Sequence, residues 1–167
     1  RLKGGEELAA DVIVSATGLQ LQLFGGIAVQ VDGVPFEAPK SMGYRGIMLR
    51  DLPNLAVVMG YTNASWTLKA DLSSEYFCRL INHLDTIGMR QVTPRDSTGS
   101  VHPEPFLDLQ SGYIERASHL LPAQGDRVPW KLHQNYLLDL ALLRYGKLED
   151  DYLEFSTPRE EAQAELA

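Results

Sequence analysis

A single cysteine, Cys78, rules out any disulfide within the chain and points to a reducing, cytoplasmic setting. No run approaches the ~20 apolar residues that a membrane-spanning helix needs. No cluster of Lys and Arg stands out, and the net charge of −7 argues against a general nucleic-acid binder. His102, His119 and His133 are scattered without metal-ligand spacing, and His83 falls inside a helical pattern, so no metal site is expected. Neither an initiator Met nor a signal-peptide pattern opens the chain. Arg1 to Glu7 reads as the end of a turn that runs straight into an apolar strand, so the chain is expected to be the C-terminal part of something longer. What remains is ordinary globular composition, 44% hydrophobic and 22% charged, at a length sufficient for one domain with a real core.

The most organised stretch runs from Pro53 to Ile87. Leu55–Met59 is a short apolar run that suits an inner strand, and Gly60 ends it. The small and polar residues Thr62, Asn63, Ala64 and Ser65 follow. Ala70, Phe77, Leu80, Ile81, Leu84 and Ile87 then recur at helical spacing opposite Asp71, Ser74, Glu75, Asn82 and Asp85. Asn63 or Ser65 can cap the start, and Gly88 stands just past the last apolar turn. Strand, glycine turn and long helix aim free N–H groups at one point, which suits an anion or an electron-rich ligand edge. A plain βα unit that binds nothing has the same pattern. Cys78, within the helix, is expected to be a small buried residue.

Elsewhere, Asp11–Thr17 is β-branched and fits a strand covered on both faces, with Ala16, Thr17 and Gly18 leaving room for a close backbone or ligand approach. Leu19–Gly26 reads as a loop. Residues 27–31 and 34–38 flank Asp32-Gly33, the favoured pair of a two-residue type I′ hairpin, and Pro35 puts the second arm at an edge. Residues 42–49 form a further strand with bends at Gly43 and Gly46, and residues 51–54 a turn. Residues 89–93 read as a short strand, 94–105 as a surface loop, and 113–121 as a short helix stopped by Pro122. Pro129 opens another helix over 130–145, closed by Gly146, with Leu132, Tyr136, Leu140 and Leu143 on one face. A charged, low-order tail is expected from Ser156.

Asp11-Val-Ile-Val-Ser-Ala-Thr-Gly18 resembles the ATG-containing segment of class B flavoprotein monooxygenases, the flavin-containing and Baeyer–Villiger enzymes. Residues 53–60 resemble the strand that returns the chain to their FAD domain. Residues 16–26 and 60–72, with Gly112-Tyr113 and the run from Pro129 to Leu137, are similar to the mycobacterial-type subgroup that includes the ethionamide-activating monooxygenase. The resemblance extends to about Phe155. It implies an α/β fold, the C-terminal part of a flavoprotein with two dinucleotide-binding, Rossmann-like domains, a β-hairpin insert and a helical C-terminal region. Residues 1–18 would end the NADP domain and its ATG linker, 19–93 belong to the FAD domain, and 94–155 form the C-terminal loop and helices, with 156–167 a disordered tail.

By the same resemblance the cofactors are FAD and NADPH. The oxygen comes from O2, and the substrate is a small ketone, sulfide or thioamide. Ala16, Thr17, Gly18, Gly60, Tyr61, Thr62, Asn63 and Ala70 would face the cofactor, and Trp66 and Thr67 the substrate. Lys69 can reach a phosphate or carboxylate, although a solvated lysine is the simpler expectation. Trp130 is assigned to packing in preference to a contact with substrate or cofactor. The family's glycine-rich FAD fingerprint and its catalytic arginine have no counterpart here, so no catalytic residue is assigned. A free-standing α/β packing or binding module is the competing reading. Purified alone, the chain should be colourless; a yellow preparation with stoichiometric flavin would contradict this.

Overall fold

A two-residue turn with consecutive positive φ angles makes the first hairpin of the computed structural model, which describes residues 1–106 and 112–157. Asp32 (φ 50°) and Gly33 (φ 78°) join β1 (Gln30–Val31) to β2 (Val34–Pro35), with Gln30 opposite Pro35 and Val31 opposite Val34. Both central angles are those a type I′ turn demands, as the Asp-Gly pair predicts. Upstream, the expected loop closes in a 3₁₀ turn, Leu23–Gly26.

Residues 42–49 form a hairpin instead of one strand. β3 (Gly43–Tyr44) and β4 (Met48–Leu49) pair antiparallel, and the chain reverses through Arg45 (φ 51°) and Gly46 (φ 65°). Gly43 lies in the ladder and makes no bend. At Gly46 glycine is required twice over, by the left-handed φ and because a Cβ would lie 2.7 Å from Leu132 Cδ2.

The long helix α1 spans Trp66–Ile87, with Ser65 at its N-cap and Gly88 left-handed at its end (φ 70°), where the Gly88 N–H donates to the Leu84 and Asp85 carbonyls. The buried face differs from the expected one. Lys69, Leu72, Ser73, Tyr76, Leu80 and Leu84 point inward, whereas Ile81 and Ile87 are exposed and Ala70 and Phe77 half-buried. The expected stripe left out Lys69, Leu72, Ser73 and Tyr76, and of its six residues only Leu80 and Leu84 are buried. Cys78 is exposed, contrary to expectation, because it lies off the buried stripe.

Beyond α1 come β5 (Gln91–Pro94), β6 (Pro103–Pro105), α2 (Gly112–Ala117) with a 3₁₀ turn Ser118–Leu120, and β7 (Ala123–Gly125). α3 (Tyr136–Asp139) runs into a π-helical turn, Leu140–Tyr145, and β8 (Leu153–Ser156) ends the described chain. β5 pairs antiparallel with β8, and β6 with β7. The expected loop over 94–105 is therefore partly strand. Ser156 belongs to β8, and the rest of the expected tail from residue 158 lies outside the described residues.

The helix predicted over 130–145 starts six residues late. The Pro129 carbonyl accepts from the Arg45 N–H (2.7 Å) and the Trp130 carbonyl from the Gly125 N–H (2.9 Å), so neither can accept a helical bond. The Asn135 side chain caps α3 through the Leu137 and Leu138 N–H groups (3.0 and 3.2 Å). Trp130 is fully buried, edge-on to Tyr44 and Tyr152, in a core that also holds Met42, Met48, Leu72, Leu80 and Leu153. The packing assignment for Trp130 stands.

Two expected inner strands are not formed. Residues 11–17 make no ladder, and Val12, Ile13 and Val14 are exposed; residues 55–59 are half-buried or exposed, with the Val57 N–H donating to the Ile47 carbonyl at 2.7 Å. Their β-branched composition favours extended backbone, but among the described residues neither run has a ladder partner.

Arg79 closes the last helical turn. Its Nη1 donates to the Leu143 and Arg144 carbonyls (2.6 and 2.7 Å) and its Nη2 to the Gly146 carbonyl (3.0 Å). Gly146 has ordinary φ (−65°), so Arg79 does the work a left-handed glycine does elsewhere. Arg79→Ala should lower stability by about 2 kcal/mol in denaturant unfolding. Arg79→Lys should recover only part, because one ammonium cannot replace the fork.

Candidate functional site

Gly60 is where the chain must lack a side chain, because a Cβ there would run into the Trp66 indole. Trp66 opens α1 with its ring against that backbone, and 62% of the residue remains exposed. The next residues are tied down in turn. Gln134 Oε1 accepts from the Thr62 N–H (2.9 Å) and the Thr62 hydroxyl (3.2 Å), and the Asn63 amide donates to the Gln134 carbonyl (2.9 Å). Ser65 makes no side-chain cap; its hydroxyl pairs with that of Thr67 at 2.8 Å. The positive end of a 22-residue helix therefore lacks a capping side chain.

Behind this turn lies a buried charge. Lys69 Nζ sits 2.8 Å from Asp139 Oδ2, and the same oxygen accepts the Tyr61 hydroxyl at 2.7 Å. Lys69, Asp139 and Tyr61 are 5%, 4% and 2% exposed. Burial holds the Lys69 ammonium below the usual lysine range, opposed by its bond to Asp139. Burial and the hydrogen bond to Asp139 push the Tyr61 hydroxyl well above the usual tyrosine range. The expectation of a solvated Lys69 is overturned. Charge made it look like surface, whereas its spacing from Leu72, Ser73 and Tyr76 puts it on the inner stripe.

Lys69 and Tyr61 help to wall a cavity of about 470 Å³, within the ~300–1,000 Å³ typical of small-molecule sites. Leu21–Phe24 form one side, Met59–Thr62 with Trp66 and Lys69 another, and Gly46, Phe106, Leu121 and 132–134 complete it. Of the expected site residues, Gly60, Tyr61, Thr62 and Trp66 line this space. Asn63 stands beside it on Gln134, while Thr67 and Ala70 do not line it. Thr17 and Gly18 belong to a separate cavity of about 430 Å³ with Arg116 and His119, and Ala16 lies in the exposed N-terminal segment. Gln134, His133 and Asp139 were missed. Gln134 sits inside a stretch singled out by resemblance, but nothing in its spacing marked its role.

The enclosure is mostly apolar, with aromatic side chains on several sides and a few converging polar groups from Lys69, Thr62, His133 and Gln134. That donor set fits the edge and face of a flat heterocycle. Nothing in it resembles a cradle for a pyrophosphate.

No family model matches the chain, and no solved structure matches it. Its sequence relatives are flavoenzymes. It is 46% identical over 159 residues to the FAD-containing monooxygenase EthA of Mycolicibacterium smegmatis, covering 95% of this chain and 32% of that protein. Identity to the FAD-containing monooxygenase EthA of Mycobacterium tuberculosis is 49% over 156 residues, 93% of this chain and 32% of the relative. The probable FAD-binding monooxygenase AlmA of Acinetobacter baylyi is 46% identical over 156 residues, 93% of this chain and 31% of the relative. The chain is thus similar in sequence to FAD-containing monooxygenases, EthA among them, and the resemblance drawn from its motifs stands. It spans about a third of the length of the curated relatives it matches. The described residues mix helix and strand, and no helix among them is long and apolar enough to cross a membrane.

Removing one member of the buried pair leaves the other charge without its counter-charge. Lys69→Met should cost about 3–5 kcal/mol, whereas Lys69→Met with Asp139→Leu should restore most of it. Denaturant midpoints of the two variants check this; equal losses would show that the pair contributes beyond mutual neutralisation.

Proposed function

We propose that this chain supplies one wall of the flavin and substrate site of an FAD- and NADPH-dependent monooxygenase. The enzyme places one oxygen atom from O2 into a ketone, in the Baeyer–Villiger manner, or onto sulfur or nitrogen of a sulfide or thioamide. In this reading the chain is the C-terminal part of a cytoplasmic protein with two Rossmann-like domains, residues 1–18 closing the NADP domain and 19–93 contributing to the FAD domain. The observation that carries it is the Gly60–Trp66 junction: an uncapped helix start and an indole laid on a glycine, opening on an aromatic-lined cavity in a relative of FAD-containing monooxygenases.

FAD, when bound, supplies the two-electron chemistry and the activation of O2. The residues of this chain bind and orient. Gly60, Tyr61 and Thr62 bring backbone to the ring, and Gln134 fixes them there through Thr62 and Asn63. The helix start favours negative charge on the ring edge nearest to it. Trp66 and Phe24 exclude water and shape the space left for substrate. Thr67, with its hydroxyl on Ser65, steadies the turn from outside. Asn63 positions in the same way. Ala70, Ala16, Thr17 and Gly18 remain part of the proposed cofactor surface, the last two through the second cavity.

Gly60→Val in the intact protein should lower FAD content, because the added side chain displaces the Trp66 ring. Trp66→Ala should change which ketones and sulfides are converted, while anaerobic flavin reduction by NADPH stays within about threefold. Full FAD content in Gly60→Val would remove the junction from the cofactor site. Slow reduction with an unaltered substrate profile would return Trp66 to the framework.

A further inference from the structure

The buried charge of Lys69 faces two ways. Its ammonium is 2.8 Å from Asp139 on one side, and on the other the residue lines the 470 Å³ cavity, which Asp139 does not. Lys69 Cε and Nζ also pass beneath Gly46, 3.7 Å from where a Cβ would stand, so the side chain is threaded between α1 and the β3–β4 turn. An ammonium needed only to neutralise Asp139 could sit anywhere around that carboxylate. This one is held at the cavity wall by Tyr61, which shares the carboxylate oxygen and lies with its ring 5.7 Å from Nζ. His133, half-buried, is the other lining side chain able to carry positive charge.

We propose that Lys69 is an electrostatic positioning residue, a fixed cation at the cavity wall that favours the reduced, negatively charged form of a flavin bound there. This rests on the reading of the cavity as the flavin site. Two electrons entering the ring with one proton leave one net negative charge. A cation nearer to the ring than its own counter-ion lowers the energy of that product more than the counter-ion raises it. The low-dielectric surroundings strengthen the effect, and the pair's neutrality keeps the cation tolerable before the flavin is reduced. Asp139 therefore maintains the charge, and Lys69 presents it.

The test uses the full-length holoenzyme and reads the flavin midpoint potential by dithionite titration against a reference dye. Lys69→Met with Asp139→Leu removes both charges and leaves an apolar pair of similar bulk. The inference expects this variant to retain FAD and to disfavour the reduced form about tenfold, close to 30 mV for a two-electron couple. Lys69→Arg keeps the charge and should stay within about threefold of the parent. A structural role predicts instead that the potential returns to the parental value once the double variant is stable, and that result overturns the inference. Loss of FAD from the double variant overturns it too, because the pair would then be a requirement for binding. Gly60→Val separates this from the underlying reading. If it retains full flavin and an unchanged spectrum, the cavity is not the flavin site. If it loses flavin while the double variant keeps the parental potential, only the role of Lys69 falls.

Discussion

One buried carboxylate oxygen holds the site together. Asp139 Oδ2 accepts from the Tyr61 hydroxyl and the Lys69 ammonium, and so fastens the glycine turn, the start of α1 and α3 to a single point. Three segments distant in sequence could not be kept in register by apolar contacts alone, because such contacts are non-directional. A buried charge is tolerated only with a well-placed partner, and that requirement fixes where the three backbones can be. Gln134, five residues before Asp139, repeats the connection at the outer edge through Thr62 and Asn63. The cavity is the space these two clasps leave open.

Behind the site the framework is stiff for a different reason. Arg45 donates to the Tyr44 hydroxyl (2.9 Å) and to Asp150 (3.0 Å), while Tyr44 donates to the same Asp150 oxygen at 2.6 Å. With Trp130 edge-on to Tyr44, this joins the β3–β4 turn to the segment just before β8. Arg144 adds bonds to Glu75 (2.6 Å) and Asp71 (3.3 Å) on α1. At the junction itself Trp66 and Leu68 remain exposed.

Local signals carried some of this arrangement and tertiary ones the rest. The Asp32-Gly33 hairpin and the Gly88 end of α1 were legible because a few neighbouring residues decide a φ angle. The similarity to FAD-containing monooxygenases was legible from the runs around Gly60 and Trp130. Lys69 was read as solvated because its carboxylate partner lies 70 residues away, although its spacing from Leu72, Ser73 and Tyr76 puts it on the inner stripe of α1. The start of α3 was missed because the Pro129 and Trp130 carbonyls are taken by Arg45 and Gly125. Asp11–Thr17 and Leu55–Met59 show the converse, local preference for extended backbone without a neighbour to complete a ladder.

If a flavin lies against the Gly60–Thr62 backbone, the Trp66 indole bordering the substrate space stands within electron-transfer reach of the ring, and the flavin's own fluorescence tests this most directly. An electron-rich indole in contact with the ring quenches its emission by electron transfer, and the effect dies away sharply with separation. In the intact holoenzyme, Trp66→Phe should lengthen the flavin fluorescence lifetime, while Trp130→Phe, altered within the core, should leave it unchanged. An identical lifetime in the parent and Trp66→Phe, with full FAD content in both, would contradict the placement.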